Sequence, residues 1–165
     1  MMAEDDVRAV LQSLESAGIR VWVDGGWGVD ALIGRQTRPH QDLDLAMELG
    51  DVRQAVEVLR EIGFRTYEAE LPTRADLRSE DDRRVDLHLL TFDEQGNGLQ
   101  QLQDGSVATY DKQGLSGIGT IGELEVRCLS PEIQLRFHTS YDPDEDDRHD
   151  VLLLVERFNL AVPEM

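Results

Sequence analysis

Two short segments alternate polar and aliphatic residues one by one, Asp42-Leu43-Asp44-Leu45 and Arg84-Val85-Asp86-Leu87-His88-Leu89. A period of two is the pattern of a strand with one face on a core and the other facing water. The first segment is followed by Val52, Ala55, Val56, Leu59 and Ile62, an amphipathic helix closed by Gly63. Half-buried strands next to a helix with one apolar stripe can bury that surface only as a sheet covered by helices.

The rest of the chain fits that plan. Val7, Val10, Leu11 and Leu14 recur at helical spacing, Gly18 stops the helix, and Ile19 to Val23 reads as a strand. Gly25 and Gly26 break it, and Val29, Leu32 and Ile33 predict a short helix ending at Gly34. Phe64 to Glu68 and Leu71 to Leu77 are strand segments of less regular pattern. Asp93 to Gly122, rich in Gly, Gln and Asp, reads as mostly loop, with short strands at Val107 to Tyr110 and Gly117 to Ile121. Leu124 to Leu129 is a strand, and Ser130-Pro131-Glu132 caps a helix running to about Tyr141. Asp142-Pro143-Asp144 breaks that helix and starts a last one carrying Val151, Leu154, Val155 and Phe158. The expected fold is α/β (α+β): a mixed twisted sheet flanked by helices over residues 1–128, with a two-helix C-terminal extension over 129–165.

Composition narrows the partners. At 165 residues, 40% of them apolar, the chain suits one compact domain. Sixteen basic against 34 acidic residues leave a formal charge of −18, a field that repels nucleic acid and anionic lipid. No run approaches the ~20 apolar residues of a membrane span. Cys128 stands alone, so no internal disulfide forms, and its surroundings offer little to activate a thiol. The opening MMAEDDVRAV has no basic-then-apolar leader pattern, and the expectation is a cytoplasmic protein.

Asp42 and Asp44 leave the same face of one strand, ~6.7 Å apart along it, within reach of one divalent ion or of two ions ~3.5–4 Å apart. Alternation of acid and aliphatic also describes any half-exposed strand. Asp86 adds weight, because it and His88 share the polar face of the second strand. Were the strands neighbours, three carboxylates would converge, and like charges so crowded call for a cation. Hard oxygen ligands suit Mg²⁺, which takes further ligands from phosphates and makes a nucleotide the natural co-substrate. Gly25 and Gly26, at a strand-to-helix turn, offer backbone amides for phosphate, and Arg38 and His40 form a local basic cluster with Arg35. Neither a dinucleotide-binding glycine motif nor a P-loop is present.

Together these segments carry a resemblance. Val21-Trp22-Val23-Asp24, Gly25-Gly26-Trp27-Gly28-Val29-Asp30, Arg38-x-His40-x-Asp42-x-Asp44, Leu71-Pro72-Thr73-Arg74, Asp86-x-His88 and Phe137-His138-Thr139-Ser140-Tyr141-Asp142 resemble the small antibiotic nucleotidyltransferases of the DNA-polymerase-β-like superfamily. The similarity is greatest to the lincosamide nucleotidyltransferases. The aminoglycoside 2″-nucleotidyltransferases share the glycine and acidic motifs but not Asp24 or the C-terminal stretch. The superfamily usually follows its glycine with Ser, where Trp27 stands here.

The resemblance implies transfer of AMP from ATP to a hydroxyl of a small molecule, with pyrophosphate leaving. Asp42, Asp44 and Asp86 would hold two Mg²⁺ ions, with Asp86 also a general base. Gly25, Gly26, Arg38 and His40 would position the triphosphate, and Trp27 is either core or a platform for base or sugar. His88, Tyr141 and Asp142 would line the acceptor pocket, completed by a second subunit in a homodimer. His138 reads as a satisfied histidine, and the acidic run Asp142 to Asp147 as a helix N-terminus or a lure for a cationic acceptor. An aminoglycoside acceptor is the alternative, or a macromolecular one, although a charge of −18 argues against tRNA.

Overall fold

The computed structural model describes residues 1–161. The helices are α1 (Glu4–Ser16), α2 (Gly25–Ile33), α3 (Val52–Glu61), α4 (Pro131–His138) and α5 (Glu145–Phe158). The strands are β1 (Val21–Asp24), β2 (Asp42–Glu48), β3 (Arg65–Glu70), β4 (Arg74–Arg78), β5 (Arg84–Phe92), β6 (Gly98–Gln101), β7 (Val107–Tyr110), β8 (Gly117–Ile121) and β9 (Leu124–Cys128). They form one mixed sheet in the order β3-β4-β5-β2-β1-β9-β8, and β6 joins the far end of β5 and pairs with β7. The β2–β5 and β1–β9 pairs are parallel and the remainder antiparallel.

Strand parity divides the interior in two. Val23 on β1, Leu43, Leu45 and Met47 on β2, and Val85, Leu87 and Leu89 on β5 are buried in the main core with α1 and α3. The opposite parity puts Trp22, Ala46 and Leu90 into a second apolar cluster with Tyr110, Leu129 and Ile133. That same face carries the acids: Asp24 follows Trp22 by two, Asp42 and Asp44 precede Ala46, and Asp86 and His88 precede Leu90. One half of the face is packed beneath α4 and the other is left open.

Four local expectations change. The glycines end β1 as expected, but the helix opens on them at once. Asp24 accepts from the Gly25 amide at 2.7 Å, and α2 starts at Gly25 rather than near Val29. The region 93–122 is mostly loop as expected, with the two expected strands and one more, β6. Helix α4 stops at His138, three residues before Tyr141, where the Thr139 hydroxyl donates back to the Leu135 carbonyl at 2.8 Å. β9 ends at Cys128 and α4 opens at Pro131 behind the Ser130 cap, and α4 and α5 pack on each other and on α2. Among the described residues no helix is long and apolar enough to cross a membrane.

Candidate active site

Strand register brings the acids together. Asp24 pairs with Asp44 across β1–β2, Asp44 with Asp86 across β2–β5, and Asp86 with Asp76 across β5–β4. Four aspartates thus stand in one row across four adjacent strands, with Asp42 one pleat along β2. Ligand atoms of Asp44, Asp86 and His88 all lie within 4.8 Å of one another. Asp42 stands outside that group but faces the same cleft.

The crowding shows in proton affinity. Asp42 is pushed up to about 6 by desolvation at the cleft mouth and then by the charges of Asp44 and Asp86. Burial first, then Asp44, also raises Asp86, while His88 and a 3.1 Å bond from Arg74 Nε to Oδ1 act the other way. Burial raises Asp24. For His88 burial acts downward, but the hydrogen bond to Asp44 and the charges of Asp44, Asp24 and Asp86 outweigh it and lift the imidazole to about 9. Its Nε2 lies 3.3 Å from Asp44 Oδ1 and 3.7 Å from Asp86 Oδ2. On the other side Gln100 Nε2 stands 3.3 Å from His88 Nδ1 while donating to the Thr73 carbonyl, and Gln100 Oε1 accepts from the Tyr110 hydroxyl at 3.3 Å. The Asp42, Asp44 and Asp86 carboxylates are hard oxygen donors carrying excess negative charge, a donor set that fits a divalent cation of the Mg²⁺ type.

The glycine turn forms the next wall. Gly25 has φ +59°, and a Cβ there would lie 2.3 Å from Asp44 Oδ2. A Cβ on Gly26 would meet Arg38 Nη2 at 2.5 Å and His40 Nδ1 at 2.6 Å. Both glycines are needed because site side chains press directly on the backbone. His40 is oriented by Asp30, whose Oδ2 lies 2.6 Å from Nε2 and also accepts from the Thr37 amide at 2.9 Å. That leaves His40 Nδ1 beside Gly26. Arg38 lies in the same wall, its guanidinium anchored from behind by Asp150.

An open cleft of about 830 Å³ unites these parts. Its lining includes Asp24, Asp42, Asp44 and His88, then Gly25, Gly26, Arg38 and His40, and opposite them Leu102, Ala108, Tyr110 and Phe137. Tyr141 and three acids of the α5 start, Asp144, Asp146 and Asp147, form the rim, with the Tyr141 hydroxyl donating to Asp147 at 2.7 Å. Asp86 is not itself in the cleft lining and meets the site through Asp44 and His88.

A family model described as aminoglycoside-2″-adenylyltransferase matches residues 6–154. The chain belongs to that family. It is 29% identical over 150 residues to a lincosamide resistance protein of Staphylococcus haemolyticus, spanning 91% of this chain and 92% of that one. A 2″-aminoglycoside nucleotidyltransferase of Escherichia coli is 35% identical over 56 residues, 32% of each protein. The lincomycin-bound crystal structure of the lincosamide antibiotic adenylyltransferase LnuA matches with TM-score 0.82 at 29% identity, covering 93% of this chain and 96% of that one. A crystal structure of ANT(2″)-Ia in complex with adenylyl-2″-tobramycin has TM-score 0.72 at 19% identity, covering 94% of this chain and 88% of that one, a likeness of fold. The chain is a lincosamide-like antibiotic nucleotidyltransferase, with the mixed, helix-flanked sheet expected of one.

Three of the residues singled out in the sequence fall elsewhere in this nucleotidyltransferase. Trp27 is buried in the main core, its Nε1 donating to the Met2 carbonyl, and it touches the site only by a tilted stack at 4.7 Å on His40. It offers no surface to a base. Asp142 and Arg35 are exposed and outside the cleft lining. Sequence reasoning in turn passed over Gln100, Tyr110 and Asp150, and gave Phe137 no role beyond its place in the C-terminal motif. Tyr110 and Phe137 stack edge-on at 4.9 Å and were readable only as apolar residues of a short strand and a helix. His138 is a satisfied histidine as expected, but its partner is the buried Asp150.

Proposed function

We propose that this nucleotidyltransferase transfers AMP from ATP to a hydroxyl of a lincosamide antibiotic, with pyrophosphate leaving. The observation that carries the reading is the convergence of Asp44, Asp86 and His88 within 4.8 Å beside the Gly25–Gly26 turn and Arg38. Mg²⁺ bound by Asp42, Asp44 and Asp86 would neutralise phosphate charge and lower the pKa of the acceptor hydroxyl. Arg38 and His40 hold the triphosphate tail, which the Gly26 backbone can approach closely because it lacks a side chain. Asp86 receives the acceptor proton on Oδ2, since Oδ1 is engaged by Arg74. Asp44 lies close against the Gly25 backbone, so the glycine's missing side chain leaves room for the carboxylate where the reacting groups meet.

A lincosamide is favoured over an aminoglycoside by two features. Similarity to the lincosamide resistance protein runs over nearly the whole chain, against a third for the aminoglycoside enzyme. The wall of Leu102, Ala108, Tyr110 and Phe137 suits an acceptor with an apolar arm, while Asp144, Asp146 and Asp147 suit its amine. The same reading includes a homodimer, a second copy closing the open side of the cleft.

Pyrophosphate release, followed by coupled pyrophosphatase with ATP and Mg²⁺, tests the reaction across lincomycin, clindamycin and an aminoglycoside panel. Release with lincosamides alone, and an adenylyl mass on the antibiotic, is the expected result. Release with aminoglycosides alone, or with no acceptor, would refute it. Asp44→Asn and Asp86→Asn should each lower turnover at least about 10²-fold, since several kcal/mol of charge stabilisation are lost at tenfold per ~1.4 kcal/mol. Both should keep the fold by circular dichroism and lose the rise in Tm that Mg²⁺ gives the parent protein.

A further inference from the structure

Two consecutive residues of α5 grip two consecutive residues of the segment that carries the basic cluster. Asp150 accepts from Arg38 in both arms, Nε at 3.0 Å to Oδ1 and Nη2 at 2.8 Å to Oδ2. His149 Nε2 lies 2.9 Å from the Thr37 hydroxyl. Thr37 is joined to Asp30, which orients His40. Residues 35–41 have no regular structure. Their own backbone pairing therefore does not fix where Arg38 points, and a fork-to-fork pair with a carboxylate does, because it sets both the place and the plane of the guanidinium.

Asp150 itself has no freedom. It is fully buried, and its Oδ2 is also 3.2 Å from His138 Nε2, whose Nδ1 lies 2.9 Å from the Gln134 carbonyl oxygen. From the opposite side Gly26 sets the limit, since a Cβ there would stand 2.5 Å from Arg38 Nη2. Two unrelated constraints, a missing side chain on α2 and a buried carboxylate on α5, hold the guanidinium at one point in the cleft wall. With Nε and Nη2 engaged by Asp150, Nη1 has the longer contacts, donating to the Pro39 carbonyl at 3.2 Å and standing 3.6 Å from the exposed Asp146.

We propose that Asp150 is a positioning residue of the nucleotide site: it holds Arg38 in the orientation that receives the triphosphate, making α5 part of the nucleotide-binding machinery. The inference rests on the reading of Arg38 as a triphosphate ligand. Affinity for ATP with Mg²⁺ is measured by calorimetry on the parent, Arg38→Ala, Asp150→Asn and the double variant, with KM for ATP and kcat from pyrophosphate release. Each single variant should weaken ATP about tenfold, the scale of one charged hydrogen bond. The double variant should be no weaker than Arg38→Ala alone, and kcat at saturating ATP should change by less than about threefold.

If Arg38→Ala leaves ATP affinity unchanged, the assignment of Arg38 is wrong and Asp150 has nothing to position. If Arg38→Ala weakens ATP but Asp150→Asn lowers only Tm, or if the two losses multiply in the double variant, the positioning role is overturned. Should Asp150→Asn not fold, Asp150→Glu keeps the charge and pushes the guanidinium forward by one methylene. Raised KM with kcat kept is then expected, and an unchanged KM refutes the proposal.

Discussion

Gly25→Ala separates the backbone cost of a glycine turn from its cost to chemistry, because the fold contains its own control. Gly25 and Gly18 both lie in the left-handed region, at φ +59° and +77°. An L side chain there costs ~1–2 kcal/mol in either place. Their surroundings differ completely. Nothing lies within 4 Å of a Cβ on Gly18, whereas a Cβ on Gly25 would stand 2.3 Å from Asp44 Oδ2 and 3.2 Å from Asp44 Cβ. To reach ordinary contact the carboxylate oxygen must retreat by about 1 Å, and a displacement of that size in a reacting constellation costs on the order of 10²-fold in rate. Urea unfolding of both variants should therefore show a similar loss of ~1–2 kcal/mol, while pyrophosphate release falls about 10²-fold in Gly25→Ala alone. Turnover of Gly25→Ala within about threefold of Gly18→Ala would refute the claim that Asp44 is placed by its contact with the glycine.

Two further outcomes follow from buried groups. Burial acts to lower His138, but the hydrogen bond to Asp150 and the charge on Asp150 outweigh it, so His138 titrates above its usual 6.5. Asp150, despite burial, is held below the usual carboxylate range by His138 and Arg38. The imidazolium therefore stabilises the fold fully below pH 6.5 and ceases to as pH rises through its raised value, while the Asp150 contribution is present above about 3.8 and fades as pH falls through its lowered value. Asp147 and Asp150 on α5 and Asp24 on β1 favour the imidazolium; Arg38, which shares Asp150 Oδ2 with His138, opposes it without reversing the upward direction. His138→Gln should thus lower Tm most near pH 5.5 and progressively less toward pH 9, and a constant difference across that range would contradict the charged pair. Cys128, pushed up to about 12 by burial, should resist a thiol-specific reagent at pH 8 until the protein unfolds. Rapid labelling of the native protein would show that its surroundings are not closed.

The site was legible where its placement depends on parity. The period-two pattern put Asp42, Asp44, Asp86 and His88 on one face before any pairing was known, and only the adjacency of β2 and β5 had to come from the fold. β6 was not legible, because Gly98-Leu99-Gln100-Gln101 has no strand pattern of its own. It exists through pairing with β5 and β7, and Gly98 is required where a Cβ would strike Leu90 Cδ1 at 2.8 Å. Gln100, the outer partner of His88, was hidden with it. Trp27 misled for a helical reason. It lies two residues beyond Gly25 at about 100° per residue, so it points away from the face the glycine presents and into the core. Asp150 carried no local signal at all, since its partner Arg38 is 112 residues away.

The acidic row also shows where the fold leaves charge uncompensated. Like charges opposite one another on adjacent strands are destabilising, and this sheet carries four. Three of the four are answered: Arg78 meets Asp76 at 3.1 Å, Arg74 meets Asp86 at 3.1 Å, and Asp24 caps the Gly25 amide. The fourth, and Asp42 one pleat along β2, are not. Asp44 has only His88 at 3.3 Å, and Asp42 has no ion-pair partner among the described residues. Arg84, opposite Asp42 in register, turns instead to Asp82 at 2.8 Å. Had these positions served only the sheet, Asn would fill the same space without repulsion. The deficit falls on Asp42 and Asp44, both in the cleft lining, and a chain of net charge −18 deepens the attraction of that point for a metal cation and for an acceptor that carries an amine.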